Sequence, residues 1–184
     1  TESCDAILQA WYGGESGGQA VADVLFGDYN PSGKLPVTFY KDTIQLADFE
    51  DYSMKERTYR YMTKEPLFPF GFGLSYTKFS VGEARPDKTS IRSNEPLSLS
   101  IPITNTGKRS GTEILQVYVK RKDDQEGPFK TLRGFKRVSI AAGTKTDAVI
   151  LLTSSAFEFY DKKQLKMAVV PGVYELWVGN SSDQ

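Results

Sequence analysis

Every second residue from Leu97 to Ile103 is apolar: Leu97, Leu99, Ile101 and Ile103 alternate with Ser98, Ser100, Pro102 and Thr104. Period-two alternation is what a half-buried strand requires, because successive side chains leave the backbone on opposite faces. The run stops at Asn105-Thr106-Gly107, a turn signal, and comparable runs follow. Ile114–Val119 reads as a second strand, and Leu132–Ile140 as a third that closes at Ala141-Ala142-Gly143. Asp147–Leu152 is more continuously apolar, which predicts a central strand covered on both faces. Phe157, Phe159 and Tyr160 mark another strand before Asp161-Lys162-Lys163. Lys166–Val170, Pro171-Gly172 and Val173–Gly179 predict a terminal hairpin with Tyr174, Leu176 and Val178 on one face. Short strands at this spacing predict an antiparallel β-sandwich over residues 79–184, and 11 Phe with 10 Tyr suit such a core.

The first forty residues follow a different rule. Ala6–Trp11 is a short apolar run bounded by glycines, which suits a buried strand. Gly13, Gly14, Gly17 and Gly18 then let the chain turn sharply and adopt positive φ cheaply. Gln19–Phe26 places Ala20, Val21, Val24 and Leu25 on one helical face, with Gly27 in the position of a C-cap glycine. Asn30-Pro31-Ser32-Gly33 predicts a turn, with Gly33 in the left-handed position. Strand, loop and helix in this order predict the last repeat of an α/β layer over residues 1–40.

Between these parts, residues 41–78 have no period. Prolines at 66 and 69 block helix, and the rings of Phe68, Phe70, Phe72 and Tyr76 each need a partner to bury against. The expectation is an aromatic connector pinned by packing rather than a free linker.

Composition removes whole classes of chemistry. With no histidine there is no Ser–His or Cys–His pair and no histidine metal site, so neither a metal nor a cofactor is expected. The single cysteine, Cys4, has no internal partner and reads as a small residue of the apolar run. Lys+Arg 23 balance Asp+Glu 23, which gives no electrostatic footprint for nucleic acid or an anionic membrane. No apolar stretch approaches the ~20 residues that cross a bilayer. Thr1-Glu2-Ser3-Cys4 opens abruptly beside an apolar run, so the expectation is a start inside a longer protein, uninformative about location.

Four features invite a functional reading. The loop Gly13–Gly18 precedes a helix and so could cradle a phosphate, but it lacks the P-loop lysine and the dinucleotide spacing. Glu15 beside that helix start is expected to act structurally, with contact to a ligand as the alternative. Asp48, Glu50, Asp51 and Glu56 form the densest carboxylate group, and glycoside cleavage needs two carboxylates, yet a mixed-charge loop is the ordinary reading. Trp11, Tyr12 and Trp177 could stack on sugar rings, with core packing expected instead; Asn180-Ser181-Ser182 is formally a glycosylation sequon. No catalytic residue is assigned, and no substrate-binding residue is identified.

Tyr12-Gly13-Gly14-Glu15-Ser16-Gly17-Gly18-Gln19-Ala20-Val21-Ala22-Asp23-Val24-Leu25-Phe26-Gly27 with Asn30-Pro31-Ser32-Gly33-Lys34-Leu35-Pro36 resembles the C-terminal region of glycoside hydrolase family 3. Tyr59-Arg60-Tyr61 and Phe68-Pro69-Phe70-Gly71-Phe72-Gly73-Leu74-Ser75-Tyr76-Thr77 match later blocks of that family in the expected order. The resemblance implies a mainly β chain: a fibronectin type III-like antiparallel β-sandwich (79–184) preceded by a fragment of an α/β sandwich domain (1–40) and the connector (41–78). The family contains β-glucosidases and β-xylosidases whose nucleophilic Asp lies on an N-terminal barrel and whose acid/base usually lies upstream of the region matching Ala6. Neither motif has a counterpart here, so the resemblance implies a non-catalytic portion that partners the barrel of the same enzyme. The parent would hydrolyse terminal non-reducing β-D-glucosyl or β-D-xylosyl residues with retention, at a periplasmic or extracellular location. The competing reading is a stand-alone fibronectin type III-like module that binds carbohydrate or protein.

Overall fold

The computed structural model describes residues Ser3–Asp183; Thr1 and Glu2, where the expected internal start falls, and Gln184 lie outside it. Among the described residues, nine strands follow two α-helices. α1 is Gly17–Phe26 and α2 is the single turn Thr58–Tyr61. The strands are β1 Phe79–Val81, β2 Arg85–Pro86, β3 Leu97–Asn105, β4 Gly111–Arg121, β5 Thr131–Ile140, β6 Lys145–Leu152, β7 Glu158–Asp161, β8 Lys166–Val169 and β9 Tyr174–Gly179. In one sheet β3 is central, with β1 and β2 along one edge and β6 along the other, all antiparallel to it. The second sheet has the order β5-β4-β9, again antiparallel. β7 and β8 form a separate two-stranded ribbon.

The alternation in β3 becomes burial without exception. Leu97, Leu99, Ile101 and Ile103 are at most 6% exposed and face Leu115, Val117 and Val119 of β4 and Ala148, Ile150 and Leu152 of β6 in one core. Tyr174, Leu176 and Val178 pack against it from β9. Apolar side chains from two sheets therefore close on each other, and this burial is the main stabilising term of the sandwich.

Several expectations are corrected. Asp147–Leu152 lies in an edge strand, not a central one: β6 pairs only with β3, and Val149 and Leu151 are 49% and 60% exposed. The predicted terminal hairpin does not form. β8 turns back onto β7, while β9 crosses to pair with β4 from Gln116↔Gly179 to Arg121↔Tyr174. Pro171-Gly172 is thus a crossover rather than a hairpin turn, because the core positions of β9 are satisfied only in the other sheet.

The N-terminal part differs more. Ala6–Trp11 forms no strand, and Ile7 and Leu8 are exposed, since no second strand among the described residues offers it a ladder. α1 forms with Gly27 as a left-handed C-cap at φ 84°, but it has no buried residue, and Ala20 and Leu25 of its predicted face are exposed. Positive φ falls on Trp11 rather than on Gly13, Gly14, Gly17 or Gly18, and Gly33 is not left-handed either. Residues 35–39 instead run beside 67–72: Leu35 N–H donates to Phe72 O (2.8 Å), Gly71 N–H to Leu35 O (2.7 Å), and Phe39 N–H to Phe68 O (2.9 Å). This strip carries the connector onto the outer face of the second sheet.

Candidate functional site

The residues singled out for chemistry do not converge. The four carboxylates lie on the loop ahead of α2, and two of them are engaged locally. Asp51 accepts from Ser53 N–H at 2.8 Å; Glu56 accepts from Thr63 N–H (3.0 Å) and Thr63 Oγ1 (2.5 Å). Those bonds hold both carboxyls below their ordinary values, Asp51 through Ser53 and Glu56 through Thr63. A glycosidase general acid needs the opposite, a value raised by burial. Glu15 is exposed, and the N-cap Ser16 makes no side-chain cap bond.

Trp11 and Tyr12 are not core residues: Tyr12 is fully exposed, and Trp11 is half-exposed with its ring 6.4 Å from Phe39. Trp177 is half-buried on β9, opposite Tyr118. Cys4 is a free, exposed thiol rather than part of a buried strand. In the sequon, Ser181 and Ser182 are buried and Asn180 Nδ2 donates to Glu113 Oε2, a poor acceptor geometry for a bulky glycan.

What the structure does bring together is a buried polar seam between residues 30–77 and strand β4. Lys34 Nζ lies 2.8 Å from Glu113 Oε1, both side chains nearly buried, and also donates to Gly73 O at 3.1 Å. Glu113 accepts further bonds from Ile114 N–H and Asn180 Nδ2, so its charge is met on several sides. Gln116, 2% exposed, donates from Nε2 to Gly71 O (3.1 Å) and Asn180 O (2.8 Å), and its Oε1 accepts from Tyr118 OH. Ser182 N–H donates to Phe70 O. Asn30 is the third clamp: its Oδ1 accepts from Ser75 Oγ and Tyr76 N–H, and its Nδ2 donates to Ser110 O. Thr77 Oγ1 donates to the fully buried Asn105, whose amide also donates to Arg109 O and Ile140 O.

Rings seal the polar contacts. Pro69–Phe72 is a turn with Gly71 at φ 78°, which sends Phe70 to one side and Phe68 with Phe72 to the other. Phe70 stacks on Tyr59 at 4.4 Å, and Tyr59 meets Tyr118 edge-on at 5.7 Å. Phe68 stacks on Phe72 at 5.5 Å and meets Phe39 at 6.3 Å. The Tyr118 phenol, desolvated here and beside Tyr59, is pushed above its ordinary range. Gln116 was missed because a polar residue at an alternate strand position reads as solvent-facing, Asn105 because it reads as the start of a turn, and Glu113 because it precedes the predicted strand. Only the cover supplied by distant chain shows otherwise.

Residues 1–76 match the glycosyl hydrolase family 3 C-terminal domain, and residues 113–182 match a fibronectin type III-like domain. A xylan 1,4-beta-xylosidase of Xylanibacter ruminicola is 54% identical over 182 residues, covering 99% of this chain and 21% of that protein. A periplasmic beta-glucosidase of Salmonella typhimurium is 34% identical, covering 98% and 25%. The beta-glucosidase of Listeria innocua, solved with glucose, superposes with a TM-score of 0.81 at 33% identity, covering 99% of this chain and 27% of that one. The chain thus spans between a fifth and just over a quarter of these relatives' length. Two ordered domain matches and a full-length likeness on this side place the chain in glycosyl hydrolase family 3, in the C-terminal region where that family's C-terminal domain is followed by a fibronectin type III-like domain.

Proposed function

We propose that this chain is the non-catalytic C-terminal portion of a retaining β-glycosidase. The parent hydrolyses terminal non-reducing β-D-glucosyl or β-D-xylosyl residues in carbohydrate degradation. Residues 1–40 end its α/β sandwich domain, 41–78 are the connector, and 79–184 are the fibronectin type III-like scaffold. The observation that carries this is an asymmetry of surface. Ile7, Trp11, Tyr12, Phe26, Phe49 and Tyr52 all stand 49% exposed or more, while the sandwich core is closed. Every buried large apolar side chain of the described residues lies at Leu97 or beyond, so the N-terminal part leaves its apolar side chains open, as a surface built to be covered does. The proposed cover is the catalytic part of the same enzyme. Location in the periplasm or outside the cell fits the periplasmic relative.

The test is hydrolysis of aryl β-glucosides and aryl β-xylosides. The 184-residue chain should turn over neither, and the longer protein that contains it should cleave at least one. Turnover by the purified chain that disappears when a carboxylate within it is replaced would overturn the reading.

A further inference from the structure

A cavity of about 380 Å³ opens where the turn after α1 meets the β4–β5 ladder, bordered on one side by the Asn30–Ser110 clamp of the seam. Its polar wall is Tyr29, Thr112, Arg137 and Ser139; the exposed Ala141 contributes apolar surface, while the Ile140 side chain turns into the core. That volume is within the range that holds a small ligand, ~300–1,000 Å³. Arg137 Nη2 donates to Tyr29 OH at 2.6 Å and to Ser32 Oγ at 3.3 Å. No carboxylate among the described residues forms an ion pair with Arg137, and none lines the cavity. A guanidinium has five N–H donors, so with Nη2 engaged by Tyr29 and Ser32 the N–H groups of Nε and Nη1 remain to meet an oxyanion. Ser32 first, and then Arg137, hold the Tyr29 phenol below its ordinary value. Thr112 and Ser139 face each other across the ladder with hydroxyls 2.9 Å apart. A hydroxyl pair uses one proton internally and presents the other outward together with free lone pairs, which suits a ligand bearing hydroxyls.

We propose that this cavity binds a small sugar acid, with its carboxylate on Arg137, its hydroxyls on Thr112 and Ser139, and its ring over Ala141. The site is independent of the hydrolase reading and stands or falls separately from it. A bare oxyanion would satisfy Arg137 but leave the hydroxyl pair and the apolar floor unused, and a neutral sugar would leave the guanidinium unmet.

The experiment is an amide-shift titration of the 184-residue chain with glucuronate, glucose, acetate and inorganic phosphate. Glucuronate is expected to shift Gly111, Thr112, Ser139 and Ala141 saturably, and the other three to bind at least ~10-fold more weakly. Arg137→Gln should weaken glucuronate by ~10-fold or more. Because Arg137 also holds Tyr29, Thr112→Val provides the second arm: it should weaken glucuronate and leave acetate unchanged. Equal shifts with glucose, equal shifts with phosphate, no saturable shift with glucuronate, or Thr112→Val without effect would each overturn the proposal.

Discussion

Gly71→Ala is the sharpest perturbation of the seam. Gly71 has φ 78°, and a Cβ built there would lie 2.1 Å from Gln116 Oε1 and 2.9 Å from its Cδ and Nε2. Two costs follow from different physics. A left-handed backbone costs a residue with a Cβ ~1–2 kcal/mol. Gln116 must also withdraw, and it is held on three bonds, to Gly71 O, Asn180 O and Tyr118 OH. Each is worth ~0.5–1.5 kcal/mol net, so losing two of the three brings the total to about 2–5 kcal/mol. Urea unfolding gives the global change, and amide exchange at Leu35, Phe39, Gly71 and Ser182 reports the seam itself, because their N–H groups bond across or beside it. A double-mutant cycle separates the costs. Once Gln116 is truncated to Ala, Gly71→Ala should cost only its backbone share, leaving a coupling of about 2 kcal/mol. Additivity within ~0.5 kcal/mol, or wild-type exchange in Gly71→Ala, would refute the argument that close approach fixes this glycine.

Lys34→Met should destabilise by about 2–4 kcal/mol in urea, because Glu113 then stays buried with its charge met only by Ile114 N–H and Asn180; a change under ~0.5 kcal/mol would mean that water replaces the amine freely. The loop 41–65 should loosen in acid. Glu56 is lowered from its ordinary 4.5 by Thr63, so its contribution is present above that value and is lost as pH falls through the lower folded value. The protection of the Thr63 amide, measured against its intrinsic exchange rate, should therefore fall as pH drops below 4.5 in the native chain and already be low at neutral pH in Glu56→Gln, and a flat protection profile would count against the cap. Residues 79–183 alone should give a dispersed amide spectrum with a lowered Tm, since Tyr118 and Gln116 lose their cover. Residues 3–77 should not, because only Ser32, Gly71 and Thr77 among them are buried even in the whole chain.

The sandwich was legible wherever one face of a strand meets the core and the other meets water. Leu97–Asn105 shows that case: its alternation predicts its burial residue by residue. Misreadings arose where pairing rather than burial decides. Val149 and Leu151 are apolar but point away from the core of an edge strand, so a continuous apolar run does not imply a central position. Pro171-Gly172 is a sound turn signal, yet turn chemistry alone does not say which strand the chain joins next. Ala6–Trp11 has the composition of a strand and no ladder to join. The ring-rich connector was legible as packed chain because its rings demand partners. Its targets were not, since Gln116 and Tyr118 look like the polar face of an ordinary strand until Phe70 and Tyr59 cover them.

The seam also bears on how the two parts work together. Its contacts leave the N-terminal part at four separate places: Asn30 and Lys34, Tyr59 and Arg60, Phe70 and Gly71, and Thr77. They land on β3, β4, β5 and the segment after β9. A hinge needs a few residues that absorb all the rotation, and contacts spread over that many elements leave none free to do so. A buried ion pair adds little net stability, because desolvating Lys34 and Glu113 offsets much of their attraction. It does penalise every orientation that parts them, since each stranded charge would stay buried. The exposed apolar side chains of the N-terminal part, Trp11, Phe26 and Tyr52 among them, are therefore held in a fixed relation to the sandwich. A free-standing binding module has no use for such a constraint, because a tether serves it as well. A scaffold that must present one surface to a catalytic partner at a set orientation requires it, and this favours the hydrolase reading over the module.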